Sequence, residues 1–106
     1  MKKLSFIFIL LMIIPVILFA DNAQIVIYKS GCNDYFIADG DHGYYLLEWY
    51  GGYDPSQGDN IIGEINSFGM KNVYYPESSR DGIVYVDDYG LSKNEAMEKY
   101  IEKCKE

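Results

Sequence analysis

The sequence has 106 residues, of which nine are lysine or arginine and sixteen are aspartate or glutamate, so its formal net charge at pH 7 is −7. An acidic surface repels the phosphate groups of nucleic acids and of anionic lipids, which argues against either as a partner. Two cysteines and one histidine are too few for a structural zinc site, and no phosphate-binding glycine loop is present.

Residues 1–20 have the composition of a secretory signal peptide. Two lysines precede an apolar stretch from Leu4 to Ala20, which Pro15 interrupts. We predict cleavage after Ala20, which would leave no stable membrane anchor. An uncleaved anchor is the alternative, because 17 residues are at the lower limit for spanning a bilayer. Residues 21–106 would then form one exported domain, periplasmic or secreted, with seven basic and sixteen acidic residues and a net charge of −9.

Short apolar runs that alternate with glycine, aspartate, asparagine and proline predict a mainly β domain. In chain order, the predicted strands are 24–29, 33–38, 43–50, 60–68, 72–75 and 83–89. A turn is predicted over 38–43, a loop over 51–59 and a break at Gly69. Five or six short strands in a small domain indicate an antiparallel sheet or a partly open barrel of the SH3 or OB type.

After the last predicted strand, the apolar residues change to a helical period. Ser92 and Glu95 have the spacing of a capping box, so we predict a C-terminal helix over 92–104 that begins at Ser92. The spacing places one apolar stripe along this helix, formed by Met97, Tyr100, Ile101 and Cys104. The charged side chains on the opposite face are expected to meet water.

The two cysteines, Cys32 and Cys104, are predicted to form a disulfide. An exported chain meets an oxidising compartment, where an even number of cysteines favours pairing. Because Cys104 belongs to the apolar stripe, the helix can pack on the sheet and still reach Cys32. A redox pair or a metal site is the alternative. Redox cysteines usually lie two residues apart, and a metal site needs more ligands than two thiols and His42.

The stretch YYLLEWYGGY, residues 44–53, is rich in aromatic side chains. Strand alternation predicts an outer face with Tyr44, Leu46, Glu48 and Tyr50, and a core face with Tyr45, Leu47, Trp49, Ile61 and Ile65. We expect Gly63 to leave room for Trp49 or to allow a bend. Tyr50 and Tyr53 are predicted to form an outer, ligand-accessible pair, although exposed tyrosines also cover sheets without binding anything.

The acidic turn DGDHG, residues 39–43, is a candidate for metal chemistry. Asp39 and Asp41 could begin a calcium loop, but that pattern needs an oxygen ligand at its fifth position and a glutamate at its twelfth, where Gly43 and Tyr50 stand. A tight turn is the simpler interpretation. No pattern supplies a catalytic base, a set of metal ligands or an activated nucleophile, so we predict no enzymatic activity, no metal and no cofactor.

The stretches GYYLLEW, GDNIIGEI, NSFG and VYVDDYGLSKNEAMEKY, with the final Cys104, resemble a group of small exported bacterial proteins of unknown function. The resemblance covers nearly all of residues 21–106 and implies no activity or site. The arrangement of Gly58, Asp59, Ile61, Gly63 and Glu64 is similar to turns in small SH3-like and OB-type barrels.

These features together predict a non-catalytic secreted or periplasmic binding module. Its partner would be an envelope protein or glycan, met through Tyr50 and Tyr53. Two alternatives stay open. One is an acidic inhibitor of a basic cell-wall hydrolase, because complementary charge speeds association. The other is a small metal-assisted hydrolase that uses Asp39, Asp41 and His42. The sequence does not determine the oligomeric state.

Overall fold

The structure, a computed structural model, describes residues 20–105. It contains six strands and a C-terminal helix, named β1 (Asp21–Ile27), β2 (Tyr35–Gly40), β3 (Gly43–Gly52), β4 (Asn60–Gly63), β5 (Gly69–Tyr75), β6 (Arg80–Leu91) and α1 (Lys93–Lys105). The prediction of a mainly β fold with a C-terminal helix is confirmed. The predicted signal peptide, residues 1–20, lies outside the described residues apart from Ala20. In the described part of the chain, no helix has the length and apolar character needed to cross a membrane.

The strands form a closed antiparallel barrel in the order β1-β2-β3-β6-β5-β4. β1 closes the barrel, because it pairs with β2 on one side and with β4 on the other. Closure pairs the backbone groups of strands that would otherwise be edges of an open sheet. The barrel is therefore closed, whereas the sequence indicated an antiparallel sheet or a partly open barrel.

The chain between β4 and β5 differs from the prediction. β4 stops at Gly63, well before the predicted end of this strand, and Gly69 begins β5 instead of breaking a strand. β4 ends where β1 begins, since Asp21 pairs with Gly63. Gly63 makes room for Val73 and not for Trp49, because a Cβ atom at Gly63 would lie 2.8 Å from Cγ1 of Val73.

The barrel interior contains most of the predicted core. Tyr45 and Leu47 of β3 are fully buried, as are Ile61 and Ile65. They pack with inward side chains of the other strands, which include Ala23, Ile25, Phe36, Ala38, Val73, Tyr75, Val84 and Val86. Trp49 is only partly buried and borders this cluster. The predicted core is thus confirmed at four positions, and Trp49 lies at its margin.

A second apolar cluster lies outside the barrel wall, under α1. Leu46, predicted to face outward with Tyr50, is fully buried there. Its neighbours come from the sheet, the β1–β2 loop and the helix, and they include Cys32, Tyr35, Ile37, Leu91, Ala96 and Tyr100. The prediction that this face of β3 is exposed is wrong at Leu46, because Ala96 and Tyr100 of α1 pack on it and both surfaces leave water. The predicted apolar stripe of α1 is wrong at Ile101, which lies outside this cluster and is exposed.

Contacts at both ends hold α1 in place. At its start, Ser92 Oγ accepts a hydrogen bond from the N–H of Glu95 at 3.2 Å, and Glu95 Oε1 accepts one from the N–H of Ser92 at 3.0 Å. This reciprocal pair is the predicted capping box. At the other end, the Cys32–Cys104 disulfide joins α1 to the β1–β2 loop, with the two Cα atoms 4.0 Å apart. The predicted disulfide and helix start are both confirmed.

Gly40, the last residue of β2, has no room for a side chain. A Cβ atom there would lie 2.7 Å from the carbonyl oxygen of Asn22 and 2.9 Å from Cε1 of Tyr45. We therefore expect Gly40→Ala to lower the free energy of unfolding by about 1–3 kcal/mol through overpacking. Urea denaturation followed by circular dichroism measures the change.

Gly51 in β3 is the matched control for Gly40. A Cβ atom added at Gly51 meets no other atom within 4 Å. Gly51→Ala should leave the free energy of unfolding unchanged or raise it by up to about 1 kcal/mol, because alanine restricts the unfolded chain. Equal losses at the two positions would contradict the close approach at Gly40.

Candidate functional site

One side of the barrel carries large apolar side chains that water reaches. Tyr50 of β3, Met70 and Tyr74 of β5, and Ile83 of β6 have exposed fractions between 39 and 53%. Tyr85 of β6 is partly buried and lies among them. We call these five residues the outer aromatic face.

Strand pairing brings the outer aromatic face together. Met70 stands opposite Tyr85 across the β5–β6 pair. The ring centroids of Tyr50 and Tyr85 are 6.2 Å apart. Ile83 and Tyr74 point to the same side as their strand neighbours Tyr85 and Met70, because alternate residues of a strand share a face. The result is a continuous surface over three adjacent strands.

The local sequence explains why this part of the barrel is apolar on its outside. β5 and β6 read GMKNVYY and RDGIVYVDDYGL, with apolar residues at both odd and even positions. The inward set fills the barrel, and α1 covers a different part of the wall, around Ile37 and Leu46. The outward set therefore stays in contact with water. A contiguous exposed patch of this kind is typical of a binding surface.

The margin of the face is concave and negatively charged. An open cavity of about 430 Å³ lies at its edge, lined by Ile62, Asn72, Val73, Tyr74 and Asp81. Asp81 stands opposite Tyr74, and Glu48 stands opposite Tyr85. Among residues 20–105, neither of these carboxylates has a salt-bridge partner. Asn72, which is exposed between Met70 and Tyr74 and stands opposite Ile83, places one amide within the face. The face is therefore mainly apolar with an amide near its centre, and it is acidic at its margin.

The two predicted ligand-binding residues lie in different places. Tyr50 belongs to the outer aromatic face. Tyr53 packs against the barrel interior, where its ring centroid is 5.1 Å from that of Tyr75 and its hydroxyl donates to Asp59 Oδ2 at 2.9 Å. The structure thus brings Tyr50 together with Tyr85 and not with Tyr53. Ligand binding by either tyrosine stays a prediction.

Sequence reasoning missed the other members of the face. The strand prediction covered Ile83 and Tyr85 but assigned them to neither side, and it left Met70 outside any strand. A signal was present, because IVYV, residues 83–86, is apolar at four consecutive positions. One side of such a strand must be exposed or covered by another element. Which of the two occurs depends on where α1 packs.

The acidic turn at residues 39–43 forms a hydrogen-bonded corner. Asp41 and His42 alone connect β2 and β3. His42 Nδ1 lies 3.2 Å from Oδ2 of the buried Asp21, and this oxygen also accepts a hydrogen bond from the Tyr45 hydroxyl at 2.5 Å. Burial and then this hydrogen bond raise the pKa of Tyr45 above its ordinary value. Within residues 20–105, no three His, Cys, Asp or Glu side chains lie together so that they could hold a metal ion.

No protein-family model, curated protein or solved structure matches this chain. The resemblance to small exported bacterial proteins therefore stays a prediction. The same holds for the metal-assisted hydrolase that would use Asp39, Asp41 and His42.

Proposed function

We propose that this domain is a non-catalytic binding module that docks a protein partner through the outer aromatic face. The supporting observation is the grouping of Tyr50, Met70, Tyr74 and Ile83 on one exposed side of a closed barrel. Soluble monomers seldom expose contiguous apolar patches unless the patch binds something. Tyrosine and methionine are also enriched at protein interfaces.

The composition of the face favours a protein over a glycan. Small-molecule sites, including those for sugars, use a few polar groups placed around apolar ones to orient the ligand. The amide of Asn72 and the tyrosine hydroxyls are groups of this kind, but Met70 and Ile83 lie among them, are exposed and offer none. An apolar protein surface would instead bury them together with Tyr50 and Tyr74. The glycan remains as a possible outcome of the experiment below.

Charge indicates which kind of protein fits. Glu48 and Asp81 border the face, and the net charge of residues 21–106 is −9. Two copies of such a chain repel each other, which disfavours self-association through the face. A partner with lysine or arginine around an apolar centre would be attracted and oriented correctly.

We place this module outside the cytoplasm. The Cys32–Cys104 disulfide is consistent with an oxidising compartment, because disulfides are rare in reducing ones. The predicted signal peptide would direct the chain to the periplasm or out of the cell. The partner would then be a basic protein of the envelope or its surroundings.

The same charge favours a second candidate function, inhibition of a basic cell-wall hydrolase. In that case the outer aromatic face would cover part of the enzyme, and the carboxylates at its margin would meet the enzyme's basic side chains. The two functions differ in one measurable way. If the domain is an inhibitor, adding the purified domain to its target hydrolase would lower the rate of hydrolysis. A simple docking module would leave that rate unchanged.

The double variant Tyr50→Thr with Ile83→Thr tests the proposal. Threonine suits an exposed strand position, so the Tm should stay within a few degrees of the wild-type value. The immobilised wild-type domain is expected to retain a basic protein from an envelope extract. With that protein purified, the Kd should rise at least about tenfold in the double variant, since central aromatic and aliphatic contacts dominate interface energies. Salt should weaken the wild-type complex.

Ile101→Gln is the matched control, because it removes an equally exposed apolar side chain from α1. This variant should bind the purified partner with the wild-type Kd. Two results would refute the proposal. One is an equal loss of binding in the control and in the face variant. The other is retention of a glycan that salt does not release.

A further inference from the structure

A cavity of about 280 Å³ lies between α1 and the barrel wall and shares no residue with the outer aromatic face. Its apolar lining includes Val26 and Ile27 of β1, Ile37 of β2 and Met97 of α1. Ile37 is fully buried, whereas the other three side chains are only partly buried. The helix therefore leaves a gap in the second apolar cluster that a ligand can enter.

A bulge in β1 turns an extra apolar side chain toward this cavity. Ile25 stands opposite Ala38 and Ile27 stands opposite Ile37, so Val26 is an additional residue between two successive pairs. Consecutive residues of a regular strand face opposite sides, but Val26 and Ile27 both line the cavity. Bulges that redirect a side chain are frequent next to functional sites. The bulge makes the apolar wall larger than regular strand geometry would.

The polar side chains of the lining lie at one end of the cavity. Tyr44 and Lys93 both line it. Tyr44 stands opposite Leu91, the last residue of β6, and Lys93 begins α1 two positions later. From there α1 runs toward the β1–β2 loop, to which Cys104 is bonded through Cys32. The bulge at the end of β1 lies in that direction, so the apolar wall extends away from the polar end.

Lys93 is exposed and lacks an ionic partner. Among residues 20–105, the ion pairs of α1 use Lys99 and Lys103, and no carboxylate pairs with Lys93. No carboxylate in this part of the chain lines the cavity, and Asp39, which stands opposite Tyr44, lines a different one. In a domain with a net charge of −9, a free ammonium group beside an apolar cavity favours an anionic group at this end.

We propose that this cavity binds a single alkyl chain that ends in a carboxylate, as in a free fatty acid of medium length. The chain would lie against Val26, Ile27 and Met97. The carboxylate would accept hydrogen bonds from the Lys93 ammonium and the Tyr44 hydroxyl. Because the volume is small for a ligand site, one short chain fits better than the two chains of a bilayer lipid. This site is independent of the proposed docking of a protein on the outer aromatic face.

Titration calorimetry at pH 7 with hexanoate, octanoate, 1-octanol and octylamine tests the site, at concentrations below those at which octanoate forms micelles. Octanoate should bind saturably and raise the Tm of the domain. It should bind more tightly than hexanoate, by about fourfold for each added methylene group that enters the cavity. It should also bind more tightly than 1-octanol and octylamine, which have the same chain but lack the negative charge.

Two variants separate the two ends of the ligand. Lys93→Gln removes the charge from an exposed position, so it should raise the Kd of octanoate about fivefold and leave that of 1-octanol unchanged. Met97→Gln keeps the length of the side chain and a good helix propensity but makes the wall polar. It should raise the Kd of both ligands at least about fivefold, because the alkyl chain loses an apolar contact. Circular dichroism verifies that both variants are folded.

Lys105→Gln and Ile101→Gln are the matched controls on the same helix, because both residues are exposed and neither lines the cavity. Both variants should bind octanoate with the wild-type Kd. The proposal is overturned by absence of saturable octanoate binding, by equal or tighter binding of octylamine, or by a wild-type Kd in Lys93→Gln. The variant Tyr50→Thr with Ile83→Thr should bind octanoate as the wild type does, and a loss there would place the ligand on the outer aromatic face. Failure of the protein-docking proposal leaves these results unchanged.

Discussion

Reduction of the Cys32–Cys104 disulfide is expected to lower the free energy of unfolding by about 4 kcal/mol. The two cysteines are 72 positions apart. In the chain-entropy model, a closed loop of that length removes a large part of the freedom of the unfolded chain. Small domains have total stabilities of about 5–15 kcal/mol, so this loss is a large fraction. The Tm should fall by about 20 °C.

Thermal and urea unfolding measure the effect. They compare the oxidised protein, the reduced protein and the double variant Cys32→Ala with Cys104→Ala. The double variant should resemble the reduced protein and should not respond to reductant, which separates loss of the bond from other effects of the reagent. Contacts of α1 with the sheet and with the β1–β2 loop are expected to remain in both, including the hydrogen bond that the N–H of Lys29 in this loop donates to the Tyr100 hydroxyl at 3.1 Å. Identical Tm values for the oxidised protein and the double variant would show that the bond does not stabilise the fold.

Leu46→Ala is expected to cost about 2–5 kcal/mol, as large a loss as at a position inside the barrel. Leu46 lies on the outer side of β3 but is fully buried, because Ala96 and Tyr100 of α1 pack over it in the same cluster. Truncation would leave a cavity between the sheet and the helix. Simple strand alternation predicts instead an exposed side chain, whose truncation would change stability by less than about 0.5 kcal/mol. Urea unfolding therefore distinguishes the two descriptions of this face.

Two control variants give a buried and an exposed reference for the loss of stability at Leu46. Leu47→Ala, next to it but inside the barrel, should show a loss of similar size, since Leu47 is also fully buried. Ile101→Ala, on the exposed side of α1, should stay within about 0.5 kcal/mol of the wild type. A Leu46→Ala variant as stable as Ile101→Ala would mean that α1 does not cover β3.

The disulfide also holds the β1–β2 loop, to which Cys32 belongs. The backbone carbonyl of Asp34 in the same loop accepts a hydrogen bond from the N–H of Trp49 at 2.9 Å. The loop is thus held from both sides, by α1 through the disulfide and by β3 through the backbone.

The sequence predicted the candidate docking surface only in part. Tyr50 was identified because strand alternation places it opposite to the core residue Leu47. Tyr53 is predicted to pair with it because the two tyrosines flank the same glycines of a tyrosine-rich stretch, yet Tyr53 packs against Tyr75. Between Tyr50 and Tyr53 lies Gly52, the last residue of β3, whose φ is +75°, a conformation that residues with a side chain seldom adopt. Alternation does not continue through such a residue.

By itself, the sequence determined the class of the elements and several of their chemical details. The strands, the inward set around Tyr45 and the capping box at Ser92 follow from the spacing of neighbouring residues, where backbone geometry limits the choices. The Cys32–Cys104 pair follows from a different signal, because the chain has only two cysteines.

Only the tertiary structure decided which surfaces are covered. Barrel closure depends on the pairing of Asp21 with Gly63, and the burial of Leu46 depends on where α1 lies. Each of these features joins residues far apart in the chain, and their contacts are selected by the total apolar surface removed from water rather than by a local pattern.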